Sequence, residues 1–223
     1  MELRDALRGT GSVRAFTAEP VGLDTVAAVL DDARFAPSGG NRQGWKVAVV
    51  RDTTTRRALA DLMQGVWDEY LAEAANGSGR APFNGLDAAT PASGAAPAAA
   101  PNPLLDGIEA VPVVLAVAVD LALVSMMDRD LERRPIVGGA SVFPFCWSIL
   151  LAARARGLGG VLTTFLSRRE PAAAALLGLP PDHALCATIF LGHAVHQPTR
   201  RRRNPVSAFA TLDRFDGTPL TDG

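Results

Sequence analysis

The pattern of apolar and polar positions predicts a mixture of helices and strands along the chain. Apolar residues recur at helical spacing over 24–35 and 53–71, and a nearly continuous apolar helix is predicted over 139–156. A shorter helix over 2–8 would end at Gly9. Aliphatic runs that are typical of buried strands cover residues 46–50, 111–119 and 185–191, and a glycine turn leads into a further strand between 157 and 165. Helices and strands therefore occur in mixed order, without repeats.

Capping residues and prolines predict where several helices begin and end. Asp24 is a natural N-cap, and Pro37 should end the same helix near Phe35, because the residue before a proline is pushed out of the helical region. Ser167 and Glu170 have the spacing of a capping box. They predict a short helix that ends at Gly178.

The helix over 139–156 is apolar on nearly every side, so it should lie in a core or at a subunit interface. Pro144 is expected in its first turn or at a kink, and Gly157 is a stop signal just beyond it.

Residues 76–103 differ from the rest of the chain, because they are mostly Ala, Pro, Gly, Ser and Asn. Such a segment buries too little apolar surface to offset the entropy of ordering it. It is predicted to be a disordered insertion or a lid within a single domain of residues 1–223, and in a lid Phe83 and Leu86 would make the contacts.

Composition excludes several classes of protein. The chain has 223 residues, 48% of them hydrophobic, which suits one compact domain, and its net charge of -1 argues against a nucleic-acid coat. The run from Val111 to Val119 is too short to span a membrane, and no signal peptide is recognisable, so a cytoplasmic protein is expected. The cysteines, Cys146 and Cys186, lie in apolar surroundings, and His193 and His196 have no third ligand nearby, so no metal site is predicted.

The loop between the helix over 24–35 and the strand over 46–50 has the sequence Ala36-Pro-Ser-Gly-Gly-Asn-Arg-Gln-Gly-Trp45. Its glycines allow the backbone to approach a ligand closely. Taken alone, this loop is also typical of an ordinary helix-to-strand connection.

Four motifs in order give the chain a resemblance to a known family. They are Ser12-Val-Arg-Ala-Phe16, Ala36-Pro-Ser-Gly-Gly-Asn-Arg-Gln43, the Leu150–Gly159 helix end with its glycine turn, and Arg203-Asn-Pro205. Over residues 4–208 the chain resembles the nitroreductase family of FMN-dependent oxidoreductases. The resemblance implies an α+β fold, with a central, mostly antiparallel sheet flanked by helices, and an intertwined homodimer. It also implies FMN at the subunit interface, reduced by NAD(P)H, and a small electron-poor acceptor such as a nitroaromatic or a quinone.

The resemblance also assigns candidate flavin contacts. Ser12, Arg201 and Arg203 would hold the phosphate, although an arginine run near a terminus is also typical of a solvated basic surface. Arg14 would lie near the ribityl chain and the pyrimidine edge, where a cation stabilises the reduced flavin. The remaining contacts would come from Pro37, Ser38, Gly39, Asn41, Leu162, Thr163 and Thr164. The threonines are equally expected from β-propensity alone. No catalytic side chain is predicted, because the flavin itself carries the hydride.

Two departures from the family pattern keep other functions open. Thr10-Gly11 stands where paired arginines are usual, so Arg8 or the C-terminal arginines would have to supply the missing phosphate donor. In the central helix, Trp147-Ser148 replaces a common Gln-Asn pair. The alternatives are an FMN-dependent dehydrogenase or flavin-consuming enzyme of a specialised pathway, a non-catalytic flavin-binding protein, and a phosphate-ligand binding domain.

Overall fold

A computed structural model describes residues 1–75, 81–83, 100–199 and 201–221. These residues form one four-stranded sheet in the order β1-β2-β4-β3, and every neighbouring pair of strands is antiparallel. The strands are β1 (Trp45–Val49), β2 (Val113–Asp120), β3 (Gly159–Thr163) and β4 (His183–Gly192). The expected antiparallel sheet with flanking helices is confirmed.

Six helices accompany this sheet within the described residues. They are α1 (Leu3–Gly9), α2 (Leu23–Ala33), α3 (Thr53–Ala75), α4 (Pro103–Asp106), α5 (Phe143–Ala155) and α6 (Glu170–Leu177). The predicted glycine stops hold at two of them: Gly157 follows α5 with a φ of 79°, and Gly178 caps α6 with a φ of 62°. Pro144 lies in the first turn of α5, as expected.

The sheet separates two apolar cores, and β2 contributes to both. Alternate residues of β2, such as Leu115 and Val117, pack with α2 and α5, while Val114 and Ala116 pack with α3, α4 and α6. A strand buried on both faces needs apolar residues at every position, which explains its unbroken aliphatic run.

The prediction that residues 46–50 form a buried strand is wrong for most of its length. β1 lies at the edge of the sheet, and Lys46 and Ala48 are exposed while Val47 and Val49 are half-buried. An edge strand with one covered face alternates between covered and exposed positions. Only Val50, just beyond the strand, is fully buried.

Two predicted helix caps are also absent. Helix α2 begins at Leu23 with Gly22 as N-cap, so Asp24 lies inside its first turn. Ser167 and Glu170 do not form a capping box: the Ser167 hydroxyl donates to the Leu185 carbonyl at 2.6 Å, and the Leu185 N–H donates to the Glu170 carboxylate at 2.7 Å. Both side chains therefore attach the start of α6 to β4 and do not cap the N-terminus of the helix.

Most of the segment 76–103 lies outside the described residues, including Leu86. Phe83 is described: its ring centroid lies 6.2 Å from that of Tyr70, and the Arg168 guanidinium lies 4.1 Å above it. Phe83 thus contacts α3 and the turn after β3. Whether the segment acts as a lid stays a prediction.

The two cysteines belong to the same apolar core, and Cys146 on α5 is buried while Cys186 on β4 is half-buried, which predicts low reactivity. Burial raises the pKa of Cys146 to about 12 and that of Cys186 to about 11. At pH 8 both should therefore remain protonated, and since the thiolate is the nucleophile, alkylation of the native protein should be about a hundredfold slower than alkylation in denaturant. Mass spectrometry after iodoacetamide treatment measures this. Equal rates in both conditions would contradict the buried positions.

Candidate functional site

The segment Ser12–Phe16 is fixed beside the start of β3 and the end of β4. Ser12 forms a parallel bridge with Gly160, the Val13 N–H donates to the Gly160 carbonyl at 2.9 Å, and Phe16 bridges Ala194. Val13 is buried while Ser12 and Arg14 are exposed, so both candidate side chains lie on the open side of this extended segment.

Gly159 makes this close approach possible. A Cβ at this position would lie 2.7 Å from Val13 Cγ2 and 3.1 Å from Ala194 Cβ. A side chain there would push the segment that contains Val13 away from the sheet. The glycine turn seen in the sequence therefore positions the Ser12–Arg14 segment against the sheet.

Arg201 connects the C-terminal arginines to this segment. Its guanidinium donates to the carbonyls of Leu7 and Arg8 at 2.9 and 2.8 Å, at the end of α1. Partial burial lowers the pKa of Arg201, and the nearby charge of Arg203 lowers it further. Arg201 is thus partly committed to capping α1, and Arg203 lies close enough for the two cations to repel each other.

The Thr10-Gly11 departure has a structural explanation. The Thr10 hydroxyl donates to the Ala6 carbonyl at 2.7 Å and is buried. A Cβ on Gly11 would lie 3.2 Å from Pro198 and 3.4 Å from Arg201. Thr10 therefore helps to end α1, and Gly11 leaves room for the C-terminal segment that carries the arginines.

This end of the molecule has an excess of unpaired positive charge. Within the described part of the chain, Arg14, Arg202 and Arg203 form no ion pair, and the only hydrogen bond of the Arg203 side chain goes to the neighbouring Arg202 carbonyl. Residues 201–204 line a depression of about 630 Å³. Unpaired guanidinium groups around a depression favour binding of an anion.

Three further candidates follow Gly160 along the chain, two on strand β3 and one just after it. Leu162 packs against the core formed with α2 and α5, and Thr164 is exposed just after the strand. Thr163 lies opposite Thr188, and both hydroxyl oxygens are buried without a hydrogen-bond partner among the described residues. Buried polar atoms of this kind are rare in folded proteins and call for an explanation.

The loop after α2 is held in an unusual conformation. Gly40, Asn41 and Gln43 have φ values of 61°, 52° and 50°. The Gln43 N–H donates to the Ser38 hydroxyl at 2.9 Å, and the Gln43 side-chain amide donates to the Asn41 side-chain oxygen at 3.2 Å. The side chains of Ser38 and Asn41 thus help to fix a loop whose left-handed residues are costly to maintain.

Ser141 anchors this loop to the start of α5, through an N–H donated by Gly39 at 3.2 Å. The sequence did not identify Ser141, because no motif links it to a loop 102 residues earlier. Pro37 and Gly39 are exposed, and Ser38 is half-buried.

The two groups of candidates lie at opposite ends of α5. The loop with Pro37–Asn41 is anchored just before the helix, whereas Ser12 bridges Gly160 just after it. Thirteen residues of α-helix, the length of α5, span about 20 Å. One chain therefore does not bring the two groups together.

No group of three or more His, Cys, Asp and Glu residues in the part of the chain that is described could hold a metal ion. Likewise, no helix among the described residues is both long and apolar enough to cross a bilayer.

The architecture is that of an α+β protein with an antiparallel sheet between two helical layers. The sequence profile of the Nitroreductase family matches residues 7–193. The chain belongs to the nitroreductase family, which confirms the resemblance carried by the motifs.

Individual relatives agree with this assignment. The 5,6-dimethylbenzimidazole synthase of Rhodospirillum rubrum is 30% identical over 182 residues, which cover 81% of this chain and 76% of that protein. A Thermus thermophilus NADH dehydrogenase is 39% identical over 54 residues, 24% of this chain and 26% of the relative. The structure of the Vibrio harveyi NADPH:FMN oxidoreductase with NAD+ superimposes with a TM-score of 0.67 at 19% identity, covering 96% of this chain and 77% of that one. This structural likeness shows a common fold.

Proposed function

We propose that the protein is an FMN-dependent oxidoreductase that takes hydride from NAD(P)H and passes it to a small electron-poor acceptor, such as a nitroaromatic or a quinone. The observation that carries the proposal is the group of arginines that form no ion pair within the described residues, Arg14, Arg202 and Arg203, with Arg201 joining the C-terminal arginines to the end of α1 just before Ser12, in a chain that belongs to the nitroreductase family. The Vibrio harveyi relative, described as an NADPH:FMN oxidoreductase, supports the choice of cofactor and donor.

The residues present suit a flavin mononucleotide. Its phosphate needs several charge-assisted donors, which Ser12, Arg201 and Arg203 can supply. Neighbouring cations without a carboxylate, such as Arg201 and Arg203, are stabilised when a dianion lies between them. The unpartnered hydroxyl of Thr163 would gain a partner if a ligand with polar atoms bound beside β3.

Each group has a distinct proposed role. Arg14 would hold positive charge near the pyrimidine edge, and the backbone at Leu162–Thr164 would run along the ring. Pro37, Ser38, Gly39 and Asn41 would present a rigid loop to the flavin, because their conformation is already fixed by internal hydrogen bonds. When bound, the flavin supplies the hydride chemistry, and the protein binds, orients and tunes it.

The separation of the two groups supports a homodimer in which each site takes Ser12, Arg14 and the arginines from one chain and the Pro37–Asn41 loop from its partner. An exposed apolar surface at the start of α5 would form part of the interface: Phe143 is 44% exposed, Trp147 39% and Ile136 72%. Large exposed apolar patches mark interaction surfaces.

We expect light scattering at micromolar concentration to give about twice the mass of the chain. Replacing Trp147 by glutamate would bury a charge in this interface, so it should shift the protein toward monomer and lower its flavin content together. Leu176→Glu, at an exposed position on α6, is the matched control and should remain dimeric. A wild-type monomer would contradict the proposed shared site.

A second candidate function is an FMN-dependent dehydrogenase or a flavin-consuming reaction in a specialised pathway. It is favoured by the match to the Rhodospirillum rubrum relative, which is a synthase and matches over 81% of this chain. A non-catalytic flavin-binding protein is the remaining alternative within the family.

The absorbance spectrum of the purified protein, recorded before and after addition of FMN and then of NADH or NADPH, tests the proposal. Flavin bands that bleach with either nucleotide and return with a quinone or nitroaromatic would support it. Bound flavin that neither nucleotide reduces would favour the alternatives. No binding of FMN even in excess would overturn every flavin-based function.

A further inference from the structure

A second concave site is lined by none of the residues that line the depression at the arginine cluster. A cleft of about 430 Å³ opens between the start of α2, the end of β1 and the segment before β2. Its charged lining residues are Arg51, Arg56 and Glu109, and its apolar walls include Leu23, Val49 and Pro112. None of its lining residues is among the candidate flavin contacts.

Arg56 is a buried arginine with one nitrogen left over. Only 7% of the residue is exposed. Its Nε donates to the Val50 carbonyl at 2.8 Å, and its Nη1 donates to the carbonyls of Val111 at 2.7 Å and Glu109 at 3.2 Å. Nη2 has no hydrogen-bond partner among the described residues, and the atom is not fully buried. Its two N–H groups are therefore accessible, in a side chain that lines the cleft and is already held rigid.

Arg51 supplies a second cation. It is exposed and forms no ion pair with any described residue, and it lies close enough for its charge to lower the pKa of Arg56, after the larger effect of burial. Glu109 is the one carboxylate among the lining residues, and it also faces Arg57 at 3.5 Å. Neither Arg51 nor Arg56 forms an ion pair with a described residue, so both guanidinium groups can donate to an anion in the cleft.

The helix terminus beside the cleft contributes less than the arginines. Gly22 has no side-chain cap, but the Asp24 carboxylate folds back toward it, to 2.3 Å from where a Cβ on Gly22 would lie. That carboxylate already offsets the positive end of α2. The apolar walls favour a ligand with a small hydrocarbon body rather than a bare inorganic ion.

We propose that this cleft binds a small organic monocarboxylate. One carboxylate oxygen accepts from Arg56 Nη2 and the other from the Arg51 guanidinium, while the hydrocarbon body packs against Leu23, Val49 and Pro112. Arg56 recognises the ligand with little entropic cost, because its side chain is already fixed.

Calorimetric titration with benzoate tests the proposal, since benzoate combines one carboxylate with a compact apolar body. We expect saturable binding of one benzoate per chain with a dissociation constant of about 1 mM, as expected for a ligand of this size. Arg51→Gln should weaken it at least about tenfold, because it removes a charge-assisted bond. Benzamide, which has the same shape without the charge, should not bind.

Arg4→Gln is the matched control, because Arg4 is also exposed and forms no ion pair among the described residues, and it lies on α1. Binding that is absent, equally strong in Arg51→Gln, or displaced by equimolar phosphate would overturn the proposal. The titrations are run with and without excess FMN. Loss of benzoate binding on FMN addition would place it in the flavin site and also overturn the proposal, whatever the outcome for flavin reduction.

Discussion

Replacing Arg14 or Arg203 with alanine is expected to lower the affinity for FMN by about tenfold to a hundredfold. A hydrogen bond to a charged group contributes roughly 1.5–3 kcal/mol, and each of these side chains is free to make one, because neither forms an ion pair within the described residues. The loss of FMN affinity is measured by titrating the apoprotein with FMN and monitoring the quenching of flavin fluorescence.

Arg201 is a poorer test of the same site. Its guanidinium caps the carbonyls of Leu7 and Arg8, so its removal would disturb α1 as well as flavin binding. Arg4→Ala serves as the control for removal of an exposed arginine, and circular dichroism checks that all variants are folded. Unchanged FMN affinity in both Arg14→Ala and Arg203→Ala, at equal folding, would overturn the proposed phosphate and pyrimidine contacts.

Arg56→Ala is expected to cause the largest loss of stability. The substitution leaves the buried carbonyls of Val50 and Val111 without donors, at about 1–3 kcal/mol each, for a total of about 2–6 kcal/mol. Urea denaturation measures the change in the free energy of unfolding. The neighbouring Arg57→Ala removes exposed ion pairs with Asp61 and Glu109 and a long hydrogen bond to the Asp106 carbonyl, and it should cost at most about 1 kcal/mol. Similar losses in the two variants would show that Arg56 does not hold these segments together.

Much of the fold could be predicted from local pattern, because helix stops and aliphatic runs act over a few residues. The sequence located β2 and β4 well, since strands buried on both faces must be apolar throughout. The sequence did not predict that β1 is a half-exposed edge strand, because an aliphatic run does not show whether a strand pairs on one side or on both. It misread Ser167 and Glu170 for a related reason: their partner, Leu185, is 15 or more residues away.

The candidate site shows the same limit. Motifs located the Ser12–Arg14 segment and the Pro37–Asn41 loop, but their spacing along the chain does not reveal that α5 holds them about 20 Å apart. Nor could the pattern assign Arg201 to the end of α1, or Gly11 to making room for it. These roles depend on contacts between segments nearly 200 residues apart.

The attachment of Ser167 and Glu170 to Leu185 has a consequence for how the sheet meets other chains. β3 pairs with β4 only from Thr188 to Gly192, so the first half of β4 would otherwise offer free backbone groups to a foreign strand. The two side chains occupy both backbone groups of Leu185 and so obstruct template-like pairing there, a common protection against aggregation. β1 has β2 as its only paired strand within the described chain. Any β-augmentation by another polypeptide should therefore avoid the first half of β4 and use one of the two edge strands, β1 or β3.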